Sequence, residues 1–452
     1  MPRRFVATRV AVFLALLLGL TAPGLRTADA KIFDPETFTL DNGLQVVVVS
    51  NHRAPIVQHM VWYKVGAADE PPGKSGIAHF LEHLMFKGTE TLGPGEFSEI
   101  IARNGGQENA FTSWDYTAYF QTVAKDRLEI VMKHEADRMA NLRLTDEVVE
   151  SERLVILEER RSRIDNDPGA QLSEMVTASL YLNHPYRIPI IGWEHEMRGL
   201  TTEDAIDFYE EWYAPNNAIL IVAGDITAAE VRPLAEKYYG ALPARAVPER
   251  DRLDEPTQTA PRRLTLESPR VRQPAVSIHY LAPSHNRGQT EHAYALQVLE
   301  EIVGGGTTSR LYRKLVVEQG IAAAAGAGYS PGSFDLSSFG FYITPRPGRE
   351  IEEAEAALRA EIARLIEEGV TVEEVADAKQ RLQAAAIYAR DSLSSGPQIL
   401  GRALVIGRGV EDIESWPERI AAVTAEQVDR ALRAVLLENN SVTGVLLPKP
   451  TS

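Results

Sequence analysis

Three side chains in Ser75–Thr89, SGIAHFLEHLMFKGT, have types and spacing that could do chemistry: His79, Glu82 and His83. The stretch predicts a helix, and a step of about 100° per residue puts positions three and four apart on one face. Two imidazoles one turn apart can grip a single divalent metal ion. A carboxylate between them can draw a proton from water that the metal activates. The order H-x-x-E-H is the inverted form of the zinc-hydrolase helix motif. Ile77, Leu81, Leu84 and Met85 fall on the opposite side and give the helix a face to bury.

A second helix is predicted to begin near Thr145, a plausible N-cap with acids in the first turn. On a helical wheel centred on Glu152, Val148, Val149, Val155 and Ile156 fall within about 60° and Glu159 within about 20°. Glu152 and Glu159 therefore sit in an apolar stripe, while Glu158 turns about 120° away, toward solvent. Two carboxylates on a buried face are costly unless they are paired or hold a metal.

These helices need a frame. The stretch Thr39–Ser50 reads as a strand end, an Asp-Asn-Gly turn and a valine-rich strand, and Ile56–Gly66 as another strand. Gln107–Lys125 alternates aromatic and β-branched residues over one or two strands, and Ile219–Gly224 is an apolar strand. Helices are predicted over Leu128–Asn141, Gln171–Leu182, Thr202–Tyr213 and Ala228–Gly240. Residues 241–262 are rich in Pro, Arg and acids without an apolar period, which predicts a linker. The order then repeats. Strands are predicted at Arg263–Leu266, Ala275–Leu281, Ala322–Tyr329, Ser337–Ile343 and Val442–Leu447, with helices between them. Strand pairs, helices and a closing strand in both halves imply two similar α+β domains, 31–240 and 263–452, each an antiparallel-rich sheet packed with helices. Only the first half carries H-x-x-E-H, so one metal per chain is expected.

The 452 residues are 44% hydrophobic and 24% charged with a net charge of −16, a globular composition too long for one ordinary core. Such acidity would repel nucleic-acid phosphates. There is no cysteine, which excludes disulfides, thiolate ligands and a cysteine nucleophile. Arg3, Arg4 and Arg9, the apolar run Val10–Leu20 and the Ala28-Asp29-Ala30 sequence read as a signal peptide over residues 1–30. Cleavage after Ala30 would leave a periplasmic or secreted protein without stable membrane insertion. An uncleaved anchor is the alternative.

With these residues in view, the chain resembles the M16 metallopeptidases, the pitrilysin or insulinase family. The likeness is strongest to its shorter two-domain members, such as the mitochondrial processing peptidase β subunit. That family pairs H-x-x-E-H with a metal-binding Glu about 76 positions beyond the second His, and here that position is Glu159. An auxiliary acid seven residues earlier falls on Glu152. Asn109-Ala110-Phe111-Thr112, His184-Pro185-Tyr186, Trp212-Tyr213-x-Pro215-Asn216-Asn217 and Gly304-Gly305-Gly306-x-x-Ser309-Arg310-Leu311-Tyr312 match as well. The resemblance implies a zinc endopeptidase fold with His79, His83 and Glu159 as ligands of one Zn²⁺. Glu82 would be the general base, and Glu152 would orient or charge-tune the site. Asn109, Ala110, Phe111 and Thr112 would form an edge strand that binds extended peptide.

One departure stands out. Active relatives carry an Arg and, seven residues later, a Tyr in the second half. The aligned positions here hold Val316 and Ala323. The resemblance then implies that a second M16-like subunit supplies the missing pair, in a heterodimer. A self-sufficient homodimer, a noncatalytic structural or chaperone-like relative, and a metal hydrolase acting on non-peptides are the competing readings.

Overall fold

Runs of β-branched and alternating residues build two mixed sheets. The computed structural model describes residues 31–449, so the expected signal peptide over 1–30 lies outside the described residues. Strands β1 (Glu36–Thr39), β2 (Gln45–Ser50), β3 (Ile56–Tyr63), β4 (Gln107–Thr112), β5 (Thr117–Ala124) and β6 (Ala218–Gly224) form the first sheet, in the order β1-β2-β6-β3-β5-β4. The second holds β7 (Arg262–Ser268), β8 (Ala275–Ala282), β9 (Ala322–Tyr329), β10 (Ser337–Pro345) and β11 (Ser441–Pro448), in the order β7-β11-β8-β10-β9. Each has one parallel pair, β2 with β6 and β7 with β11, and every other pairing is antiparallel. Leaving out β1, the two sheets share one strand order and one set of directions. This is the repeated α+β architecture that the sequence predicts.

Alternation decides what each face of the first sheet meets. Val46, Val48, Leu220 and Val222 face a core that includes the helix of the H-x-x-E-H motif. Val47, Val49, Ile219 and Ile221 face the other way, onto Leu400, Leu404 and Ile406. A strand buried on both faces reads as a continuous apolar run, which is why VVVV and ILIVA are so plain in the sequence.

The helices that matter to the site are α1 (Ile77–Leu84), α2 (Glu96–Arg103), α3 (Leu128–Ala140), α4 (Asp146–Arg160) and α5 (Pro168–Leu180). Helix α5 leaves its own sheet and packs Leu172, Val176 and Leu180 against Leu264, Leu266, Val442 and Leu446 of the second. In exchange, the helix Ser395–Leu404 packs on the back of the first sheet. The sequence reading did not predict that helix. Its residues, SGPQILGRAL, hold two glycines and a proline and have poor intrinsic helix propensity. Packing overrides propensity here, because a Cβ on Gly401 would lie 2.1 Å from the indole of Trp62, itself fully buried. Gly401→Ala is therefore expected to destabilise the chain by about 1–3 kcal/mol, read as a lower urea midpoint.

Residues 241–261 form neither helix nor strand, as a linker should, but they are not a solvated tether. Arg250, Arg252 and Gln258 are inserted into the protein. Arg252 reaches Asp69 at 2.8 Å and also pairs with Asp115 of the β4–β5 turn. It lies 3.5 Å from Asp335 of the second half.

Candidate metal centre and active site

The geometry of the metal helix starts before its first turn. Helix α1 has no side-chain cap of its own at Gly76. Glu70 supplies one, accepting the backbone N–H groups of Gly76 and Ala78, each at 2.9 Å. An anion there also suits the helix dipole. Burial pushes the Glu70 carboxyl well up, against the pull of those two donors. Glu196 accepts from Ser75 N at 2.8 Å, and Ser75 Oγ accepts from Trp193 N at 2.9 Å. At Gly192, φ is 83° and a Cβ would lie 2.4 Å from Ser75 O, so only glycine fits against the start of α1. The sequence reading missed Glu70 and Glu196, because both act across loops with no local pattern.

Ile77, Leu81, Leu84 and Met85 are buried in the first core, as the wheel predicts. Helix α4 packs beside α1. Thr145 caps it, accepting from Val148 N at 3.4 Å. Glu152 and Glu159, two turns apart, both face α1, whereas Glu158 is exposed and pairs with Arg161. Val155 departs from the wheel reading. It is 49% exposed because the face it shares with Glu159 opens into a cavity rather than a core.

The structure brings His79, His83 and Glu159 together, with one ligand atom from each inside a 4.8 Å cluster. Glu159 Oε2 stands 3.8 Å from His79 Nε2 and 3.4 Å from His83 Nε2. It is a buried oxygen with no hydrogen-bond donor, and it lies where two imidazole nitrogens converge. Two imidazoles and a carboxylate suit a divalent metal such as zinc, so these residues fit the expected ion. The other nitrogen of His83, Nδ1, is 2.9 Å from Glu152 Oε1, and Lys87 holds the second Glu152 oxygen. Arg163 holds Glu159 Oε1 at 2.7 Å. Such outer contacts fix the orientation of the groups that touch a metal.

Charge among these side chains is unevenly divided. Burial, followed by the neighbouring His83, lowers His79 to about 4. Burial also opposes the charged form of His83, but Glu152 and Glu159 outweigh it and hold the imidazole up at about 9. Burial pushes the Glu82 carboxyl above its ordinary value, with the Thr112 hydroxyl pulling back. A raised carboxyl pKa moves Glu82 toward the range useful to a general base.

These groups line one cavity of about 1010 Å³. Its other walls are Asn109–Thr112 of β4 and the Ala170, Ser173 and Thr177 side of α5. Strand β4 ends the sheet and pairs only with β5, so its outer edge is open to the cavity. The four residues predicted on it play different parts. Asn109 Oδ1 accepts from Ala110 N at 2.9 Å. The Phe111 ring packs edge-on against Trp62, 5.2 Å between centroids. Thr112 Oγ1 donates to Glu82 Oε2 at 2.6 Å, a contact the sequence does not reveal. Among the described residues, every lining residue lies between His79 and Ile191, so none of this wall comes from the described part of the second half. Val316 is buried in the second core and Ala323 is exposed on β9.

Comparison with known proteins fits this arrangement. The model of Insulinase (Peptidase family M16) matches residues 45–193, and that of the Peptidase M16 inactive domain matches 199–382. A relative from Helicobacter pylori, named zinc protease PqqE, is 34% identical over 361 residues, covering 78% of this chain and 79% of the relative. The chain belongs to the M16 peptidase family. A crystal structure of a protease from Helicobacter pylori superimposes on it with a TM-score of 0.86 at 30% identity, covering 92% of this M16 chain and 99% of the other. A Schizosaccharomyces pombe chain named "Probable mitochondrial-processing peptidase subunit beta" is 28% identical over 425 residues, 92% of each chain. Among the described residues, no helix is long and apolar enough to cross a membrane.

Proposed function

We propose that this M16 chain is an exported zinc endopeptidase acting on extended peptides. The observation that carries the reading is one cavity holding the His79–His83–Glu159 cluster, the Glu82 carboxylate and the open edge of β4. His79, His83 and Glu159 would hold one Zn²⁺. When bound, zinc supplies Lewis acidity that polarises a carbonyl and lowers the pKa of water. The remaining work falls to the chain. The β4 edge takes up peptide as an added strand through main-chain hydrogen bonds, which favours unfolded over folded substrates. Glu82 accepts a proton from the attacking water and returns it to the leaving amine. Thr112 holds Glu82 Oε2 in place through the bond described above. Glu152, braced by Lys87, holds His83 through Nδ1.

Glu152 would thus act on a bound metal through His83. Glu152→Gln is expected to weaken zinc affinity by about 10–100-fold while leaving the fold intact. Competition with a chelator of known affinity measures it.

The second half is the reason for proposing a partner. A cavity walled, among the described residues, only by the first half, with Val316 and Ala323 where the family resemblance expects Arg and Tyr, supports a heterodimer in which an M16-like subunit completes substrate binding. The same observation favours a second reading, a noncatalytic member of the family. Peptide cleavage by residues 31–452 with zinc, alone and mixed with a co-expressed relative carrying Arg and Tyr, separates them. Cleavage only in the mixture supports the split site. Cleavage by the chain alone removes the partner requirement. No cleavage in either, with zinc bound, favours the noncatalytic reading. The proposed periplasmic or secreted location rests on the sequence of residues 1–30. Detection of a mature chain beginning at Lys31 outside the cytoplasm would support it.

A further inference from the structure

Helix α5 walls the cavity of the metal centre, yet it rests on the second sheet. The packing there is tight, since a Cβ on Gly444 of β11 would lie 2.7 Å from Val176 Cγ2 of α5. One side chain ties this wall back to the metal centre. Arg160 ends α4 and follows Glu159 directly. It is 6% exposed, and its guanidinium reaches across to α5, where Nη1 and Nη2 each donate to one oxygen of Glu174 at 2.9 Å. A fork of this kind fixes angle as well as distance. Nη1 also donates to Gly192 O at 2.9 Å, and Gly192 packs against Ser75 at the start of α1. One guanidinium therefore joins α4 with Glu159, the cavity face of α5 at Ser173, Glu174 and Thr177, and the loop that places α1. The turn between α4 and α5 is held from the second half as well. Arg270 Nη1 donates to Asp165 O at 3.3 Å and to Asn166 Oδ1 at 3.2 Å.

We propose that Arg160 is a positioning residue for substrate, which sets the α5 wall against the metal centre so that the second half, through α5, fixes the room left for peptide. This rests on the reading that the cavity takes extended peptide. Strand β4 and α5 line one cavity, so a peptide strand added to β4 shares that space with α5. The metal ligands are braced separately, Glu159 by Arg163 and His83 by Glu152. Loss of Arg160 then acts on peptide binding rather than on zinc.

The test uses zinc-loaded residues 31–452 carrying Glu82→Gln, with the co-expressed relative present, so that a labelled unstructured peptide binds without turnover. Fluorescence anisotropy, with the relative alone as blank, gives peptide affinity. Chelator competition gives zinc affinity, and urea unfolding gives the midpoint of each variant. Arg160→Met is expected to weaken peptide binding about tenfold while zinc affinity stays within about threefold, and Arg160→Lys to recover part of the loss. Glu174 borders the cavity, so water can reach its carboxylate once the guanidinium is gone. Gly444→Ala changes only the second half and is expected to weaken peptide binding too, by displacing α5 at Val176. Gly401→Ala, behind the first sheet, is the control for lost stability alone and should bind peptide as the parent does. Unchanged peptide affinity in Arg160→Met or in Gly444→Ala, or an equal loss in Gly401→Ala, would overturn the proposal. A parallel fall in zinc affinity would overturn it as well, since Arg160 would then serve the metal. Peptide binding with the expected pattern, but no cleavage by the chain with Glu82 intact, would sink the endopeptidase reading and leave this inference standing. No peptide binding by the parent would overturn both.

Discussion

Glu82→Gln is expected to lower the turnover of peptide by about 10²–10⁴-fold, the usual contribution of a general acid–base group. The substitution keeps the shape of the side chain and can still accept from Thr112, whose hydroxyl lies 2.6 Å away. It removes the capacity to take a proton. The three residues that would hold the metal are untouched, so zinc content should stay at one per chain and KM should change little. Steady-state kinetics with metal analysis on the same preparation checks all three. A variant with wild-type turnover would remove Glu82 from the chemistry. A variant that lost its zinc would show that Glu82 serves the metal rather than the substrate.

The second large effect is on stability. Arg252 is 3% exposed at its side chain and sits among Asp69, Asp115 and Asp335, which come from both halves. Burial pushes the Asp69 carboxyl up, with Arg252 and Arg250 pulling against it. Arg252→Met would leave these carboxylates facing one another with a main counter-charge gone. Breaking a buried ion pair from one side is expected to destabilise by about 3–5 kcal/mol. Urea unfolding measures it, and a loss below about 1 kcal/mol would show that the carboxylates find other partners. Because Asp115 lies in the turn joining β4 to β5, the same variant should also disturb the peptide edge.

What was legible in the sequence was local. His79, Glu82 and His83 declare themselves because one turn of helix fixes their common face. Glu159 was found by the same periodicity. The central strands are plain as valine and isoleucine runs whose alternation serves two cores. The rest depends on contacts between residues far apart in the chain, which no spacing records. Glu70 caps α1 from a loop, and Thr112 turns from the predicted peptide edge to Glu82. Ser395–Leu404 forms a helix that packs Leu400 and Leu404 on the first sheet, with Gly401 against Trp62. Arg252, in a segment whose composition predicts a linker, ties the halves together. Val155 shows the converse error. Helical periodicity gives its face correctly, but not whether that face meets a core or a cleft.

The most direct test of the central claim is a zinc titration of peptide cleavage. Residues 31–452, mixed with a co-expressed M16 relative that carries the Arg and Tyr, are stripped with a chelator and given back zinc in steps while cleavage of an unstructured peptide is followed. Cleavage is expected to stop on stripping and to return in full at one zinc per chain, and a His83→Ala variant is expected not to recover. Cleavage that survives stripping, or that returns equally in His83→Ala, would contradict a metal centre built on His79, His83 and Glu159.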